Sequence, residues 1–170
     1  STTNVTETIN LLTAFTNGIV FKLNHGGTGL TEVIFEVTDV NDNKDEVRLV
    51  GITAADKTYK ILTALFDEVD LTKIKSIALV TSGIQNGKRL NVDWGDFSFI
   101  PDVTNDASNP AITKVPATSL GDRPTLTSFA STVGPNNTVD NSTVAVTQLD
   151  KEKAQIDFDL KLATSFGGAF

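Results

Sequence analysis

The chain has 170 residues, 14 basic and 21 acidic side chains (net charge −7), and neither cysteine nor methionine. That length supports one domain whose core needs no staples, and the missing cysteines exclude a disulfide framework and thiolate chemistry. The acidic excess, with no basic stripe, argues against nucleic acid and anionic membrane surfaces as partners. No apolar run approaches the ~18–20 residues of a membrane-spanning helix, and no signal-peptide pattern opens the chain. With no Met even at position 1, the expectation is a processed product, an excised piece or one unit of something longer. Abundant Thr, Ser, Asn and Val suit an extracellular β-protein.

Period-two alternation of apolar residues runs through the chain and predicts strands. In order, they are centred on Ile19/Phe21/Leu23, Val33/Phe35/Val37, Val47/Leu49, Tyr59/Ile61, Ile74–Val80, Leu90–Ile100, Val144/Val146 and Ile156/Phe158/Leu160/Leu162. Turn chemistry separates them at 24–29 (NHGGTG), 39–45 (DVNDNKD), 82–88 (SGIQNGK) and 148–153 (QLDKEK), where Gly, Asn and Asp supply left-handed backbone. A helix is expected only within 62–73, and then for a turn or two. Many short strands at regular spacing predict an all-β sandwich with a buried set of Phe21, Leu23, Phe35, Val37, Ile77, Leu79, Val92, Phe158 and Leu160.

Residues 101–127 differ. Prolines at 101, 110, 116 and 124 among small polar residues read as an extended, locally stiff linker. It divides a front block, 1–100, from a rear block, 128–170. The last residues, AQIDFDLKLATSFGGAF (154–170), read as a strand ending on Phe170. Residues 1–24 open on a polar lead-in to the next strand. Joined tail to head, the two make one continuous strand–loop–strand passage.

The only Trp and Tyr, Trp94 and Tyr59, are each either a platform on which a pyranose face stacks or a core residue. The ten Phe residues fall mostly in apolar phase and read as core. Sequons occur at Asn4, Asn136 and Asn141, and they are glycosylation sites only if the source glycosylates its exported proteins. DVNDNKDE (39–46) lacks the glycine and terminal glutamate of an EF-hand loop and reads as an Asn/Asp turn. His25, the sole histidine, lies in a Gly-rich turn with no nucleophile elbow, ligand cluster or phosphate loop beside it. Nothing singles out a catalytic pair of carboxylates. The chain reads as non-catalytic.

With the rear block placed first, the segments TSFASTVGPNN…NSTVAVTQLDKEKAQIDFDLKLATSFGGAF, then FTNGIVFKLNHGGTGLTEVIFEVTDVNDN, YKILTALFDEVDLTKIKSIALVTSG and RLNVDWGDFSFIP follow a known pattern. It resembles that of jelly-roll carbohydrate-binding modules with a galactose-binding-domain-like fold. In this chain the order is circularly permuted, with the linker sitting where a join between modules would be. The resemblance implies a jelly-roll β-sandwich, a polysaccharide ligand, and a structural Ca²⁺ held by Asp93 or Asp96 in the closing strand. The acidic residue such modules carry after their opening Phe is absent, since Ala130 follows Phe129. Two functions are expected. One is an extracellular subunit or repeat that assembles head-to-tail with copies of itself, residues 128–170 completing the sheets of a neighbour's residues 1–100. The other is a carbohydrate-binding module closed within one chain.

Overall fold

The computed structural model describes residues 8–14, 18–94, 128–150 and 152–170. It is an all-β sandwich of two antiparallel five-stranded sheets. The front block contributes β1 (Ile19–Asn24), β2 (Glu32–Asp39), β3 (Lys44–Val50), β4 (Lys57–Ile61), β5 (Ile74–Ser82) and β6 (Gln85–Asp93). The rear block contributes β7 (Ser128–Ala130), β8 (Thr143–Asp150), β9 (Lys153–Leu160) and β10 (Phe166–Ala169). One sheet runs β4-β1-β6-β9-β8 and the other β3-β2-β5-β10-β7.

Alternation dictates which faces meet. Ile19, Phe21 and Leu23 of β1 point inward, as do Val33, Phe35 and Val37 of β2 and Ala154, Ile156, Phe158 and Leu160 of β9, all of them buried. Phe21 stacks on Phe35 across the sandwich with ring centroids 5.6 Å apart, and on Tyr59 at 6.4 Å. Phe66 closes the group against Phe35 at 6.1 Å. Of the expected core, Ile77 and Leu79 are only partly buried and the other seven residues are buried.

Three local expectations are corrected. Residues 154–170 are two strands: β9 lies in one sheet, the chain crosses at 161–165, and β10 lies in the other. The Gly167–Gly168 pair makes this possible. A Cβ on Gly168 would stand 2.2 Å from the carbonyl oxygen of Leu79, so only a residue without a side chain lets β10 approach β5. Second, β6 begins at Gln85, within the stretch read as a turn, because Gly83 (φ 81°) turns the chain tightly. Residues 95–100 lie outside the described residues. Third, the α-helix is a single turn, α1 (Leu11–Ala14), at a place the pattern did not mark. The Asn10 side-chain oxygen caps it by accepting the Leu12 and Thr13 amides. Within 62–73 the chain makes only a 3₁₀ turn, Thr63–Leu65.

Candidate functional site

The strand orders put a boundary in the middle of both sheets. On one side stand β4, β1, β6 and, above them, β3, β2, β5. On the other stand β9, β8 and β10, β7. Front and rear blocks therefore meet along one seam that cuts the sandwich through, made by β6 with β9 and β5 with β10. At the first junction Leu90 lies opposite Ile156 and Val92 opposite Ala154, all buried. At the second, Phe166 to Ala169 pair with Ser82 to Leu79.

Polar contacts finish the seam. Arg89 Nε donates to Asp157 Oδ1 at 2.7 Å, with both side chains about two-fifths exposed. The Trp94 amide donates to the Glu152 carbonyl and the Gly83 amide to the Ser165 carbonyl, each at 2.9 Å. In contrast, the buried Asp140 network lies wholly within the rear block. Ser131, Ser142 and Ser165 donate their hydroxyls toward the Asp140 carboxylate, and the Ser142 amide donates to it at 3.0 Å. The same serine oxygens accept the amides of Lys161, Leu162 and Phe166. The Ser131 and Ser142 hydrogen bonds hold the Asp140 carboxyl down at about 2 against the cost of burial. This is a buried, self-satisfied knot that fixes the β9–β10 crossover to the segments flanking β7 and β8. Serine and carboxylate are adjacent, but the sole histidine is in the front block, so the group lacks the base of a Ser-His-Asp triad.

The front block has its own clasp. Asp39, fully buried, accepts the Asp70 amide at 3.0 Å, the Asn43 side chain and the Asn41 and Asn43 amides. Chiefly through the Asp70 amide, its carboxyl is lowered to about 2. The DVNDNKD turn thus spends its acids on its own folding. Asp45 accepts the Asp67 and Glu68 amides, and Asp42, left-handed at φ 66°, pairs with Lys75. His25 is used likewise: its Nδ1 accepts the Gly27 and Gly29 amides at 3.1 and 3.2 Å.

Tyr59 is wholly buried and Trp94 is 8% exposed, so neither ring offers solvent a face for a sugar to stack on. Both stand in the apolar phase of their strands. Tyr59 instead ties the two sheets together by donating its hydroxyl to the Val50 carbonyl at 2.9 Å, and burial pushes its pKa up to about 12. Asp93 faces outward, its cross-strand neighbours being Lys22 and Lys153. Among the described residues no group of three or more His, Cys, Asp or Glu is placed to hold a metal. Asp96 and Asn4 lie outside the described residues. Asn136 and Asn141 are both exposed, Asn136 in left-handed conformation at φ 55°.

The structure also presents aromatic residues that the sequence pattern assigned to the core. Phe129 on β7 lies beside Phe166 and Phe170 at 6.5 and 6.0 Å, with Phe166 and Phe170 about half exposed. All three stand on the outer face of the sheet, around Gly168, which pairs with Phe129 on one side and Val80 on the other. The inward positions of β10 are Gly167 and Ala169. That phase was the available signal: alternation from buried Ala169 sends Phe166 and Phe170 outward.

Compared with known proteins, the chain matches no family model, no curated protein and no solved structure.

Proposed function

We propose that the protein is a non-catalytic, extracellular β-sandwich subunit that assembles head-to-tail, the rear block of one copy completing the sheets of the next copy's front block. The observation that carries this reading is the single seam through both sheets. Each block holds its own share of both layers and its own buried carboxylate knot, so the rear block is a unit that pairs equally well with the front block of its own chain or of another. An unpaired front block leaves two strand edges, β5 and β6, with Leu90, Val92 and their neighbours uncovered, and donor strands relieve such edges. Ile9 and β10 add to the argument. Ile9 pairs with Ile74 and Ala169 with Leu79, on the same edge of β5 and in the same direction, while β2 holds the other edge. Tail and head follow one another along one line, which supports the permuted reading. Exchange that does not close into a ring builds a filament.

The test exploits the cysteine-free chain. Asn91 and Gln155 face each other across the seam on the outer face. Full-length chains carrying Asn91→Cys are mixed with chains carrying Gln155→Cys, unfolded and refolded together, and oxidised. The expected product is a disulfide-linked heterodimer, with larger linear species from the double variant. A double variant that cross-links only within itself, at the mass of one copy, would refute assembly.

A second reading is supported by the Phe129, Phe166 and Phe170 group: a carbohydrate-binding module using that outer face, with a polysaccharide as ligand. It expects retention on an insoluble polysaccharide that is lost when Phe166 and Phe170 become Ala, the fold remaining intact.

A further inference from the structure

Among the described residues the sandwich has four outer strand edges, and three of them are guarded. β3 carries Lys44, Asp45, Glu46 and Arg48 in seven residues, β4 carries Lys57 and Lys60 in five, and β7 is only three residues long. Charge and brevity are the usual means by which a sheet edge is kept from pairing with another chain. β8 has neither. It is eight residues long, TVAVTQLD, uncharged until Asp150. None of its residues is buried, although it is paired with β9 along its other side. Its single irregularity, the register shift between Gln148 and Asp150, lies at its end and leaves Thr143–Gln148 straight.

We infer that β8 is a self-association edge, and that its partner is β8 of a second copy, paired antiparallel about a two-fold axis near Ala145 and Val146. Two features on this strand select that partner and that direction. An antiparallel pair puts the two Asp150 carboxylates at opposite ends, whereas a parallel pair sets them side by side, and like charges directly opposite are unfavourable. A two-fold axis through Ala145 or Val146 also sets residues of the same phase against each other. Val144 and Val146 then remain on the inner side of both copies, and the half-buried valines of each gain apolar cover. The product is an isologous junction in which the two five-stranded sheets join into a continuous one. It lies on the side of the molecule away from β4 and does not use the seam, so head-to-tail and lateral association are independent.

The experiment uses the full chain and follows two quantities, the mass in solution against concentration and amide hydrogen exchange across Thr143–Thr147. The wild-type mass is expected to rise with concentration as the β8 amides gain protection. Ala145→Lys, on the exposed face of the strand, opposes two charges at the junction and is expected to weaken this association about tenfold or more. Its thermal unfolding at low concentration should match that of the wild type. Ala145→Glu alone should behave in the same way, and an equimolar mixture of the two variants should recover association. Concentration-independent exchange at β8 in the wild type, or association of Ala145→Lys as tight as that of the wild type, would overturn the proposal. The Asn91/Gln155 cross-link is read in the Ala145→Lys background as well: seam exchange there is unaffected by the state of β8, so each proposal fails on its own readout.

Discussion

Asp39 and Asp140 each hold a carboxylate inside the protein by surrounding it with donors. Both titrate at about 2 in the folded protein, below the ordinary 3.8. A group whose folded pKa is depressed contributes stability above its unfolded pKa, and that contribution is lost as the pH falls through the folded value. Unfolding midpoints should therefore be flat above pH 5, begin to fall near 4 and drop steeply toward 2, as urea titrations at fixed pH would record. Asp140→Asn should flatten part of that slope and lower stability at neutral pH, because an amide offers one acceptor oxygen where Ser131, Ser142 and Ser165 meet two. Neither acid was legible in the sequence. The partners of Asp39 and Asp140 stand as much as 31 and 25 residues away, and no local pattern encodes a bond at that distance. Tyr59 and Trp94 were legible only in part. Their phase pointed inward, and scarcity alone made them stand out as ligand platforms.

Strands were the most readable elements, because a one-residue slip would turn every apolar side chain of β1, β2 or β9 to the wrong face. Phe158→Ala should cost about 3–5 kcal/mol in unfolding free energy, as for other buried aromatic-to-alanine changes. β10 was unreadable as a separate strand. With Gly167, Gly168 and Ala169 on or beside its inner face it has almost no apolar alternation, and it is defined by close backbone approach to β5. Gly168→Ala tests this. The new methyl meets the Leu79 carbonyl at 2.2 Å, so β10 should detach from β5 and lose amide protection, with the melting temperature falling while β1–β4 retain theirs. Equal protection in the variant and the wild type would show that β10 is not held by that contact.

At the scale of the molecule, the all-β sandwich followed from the number and spacing of short strands. The composition change at residues 101–127, where four prolines interrupt a chain otherwise rich in alternation, lies outside the described residues. Which strands would neighbour which was not visible. Alternation fixes the face of a strand and leaves its neighbours open, so the alignment of both inter-block junctions into one seam appears only in three dimensions. The consequence for oligomers is a prediction about preparation history. Native Ala145→Lys protein, in which the β8 junction is weakened, should on dilution far below its folding concentration retain its original distribution of masses over hours, as sizing at successive times would record, because leaving the seam exposes Ile156, Phe158 and Leu160.

That seam also bears on how a chain finds its partner. Some pairings within each block join near neighbours in the chain, such as β2 to β3 or β8 to β9, while β1 to β6 joins Lys22 to Asp93. The seam joins Asp93 to Lys153 and Ser82 to Phe166, contacts whose loop closure is slow because nothing local rewards it. Two blocks on one chain find each other at an effective concentration on the order of mM, and strangers compete only when crowded to comparable levels. Because the same contacts form either way, energy does not choose between closing alone and joining a neighbour. On the head-to-tail assembly proposed above, the choice is a race, decided by how many other chains are present at the moment of docking, and the finished core then preserves its result.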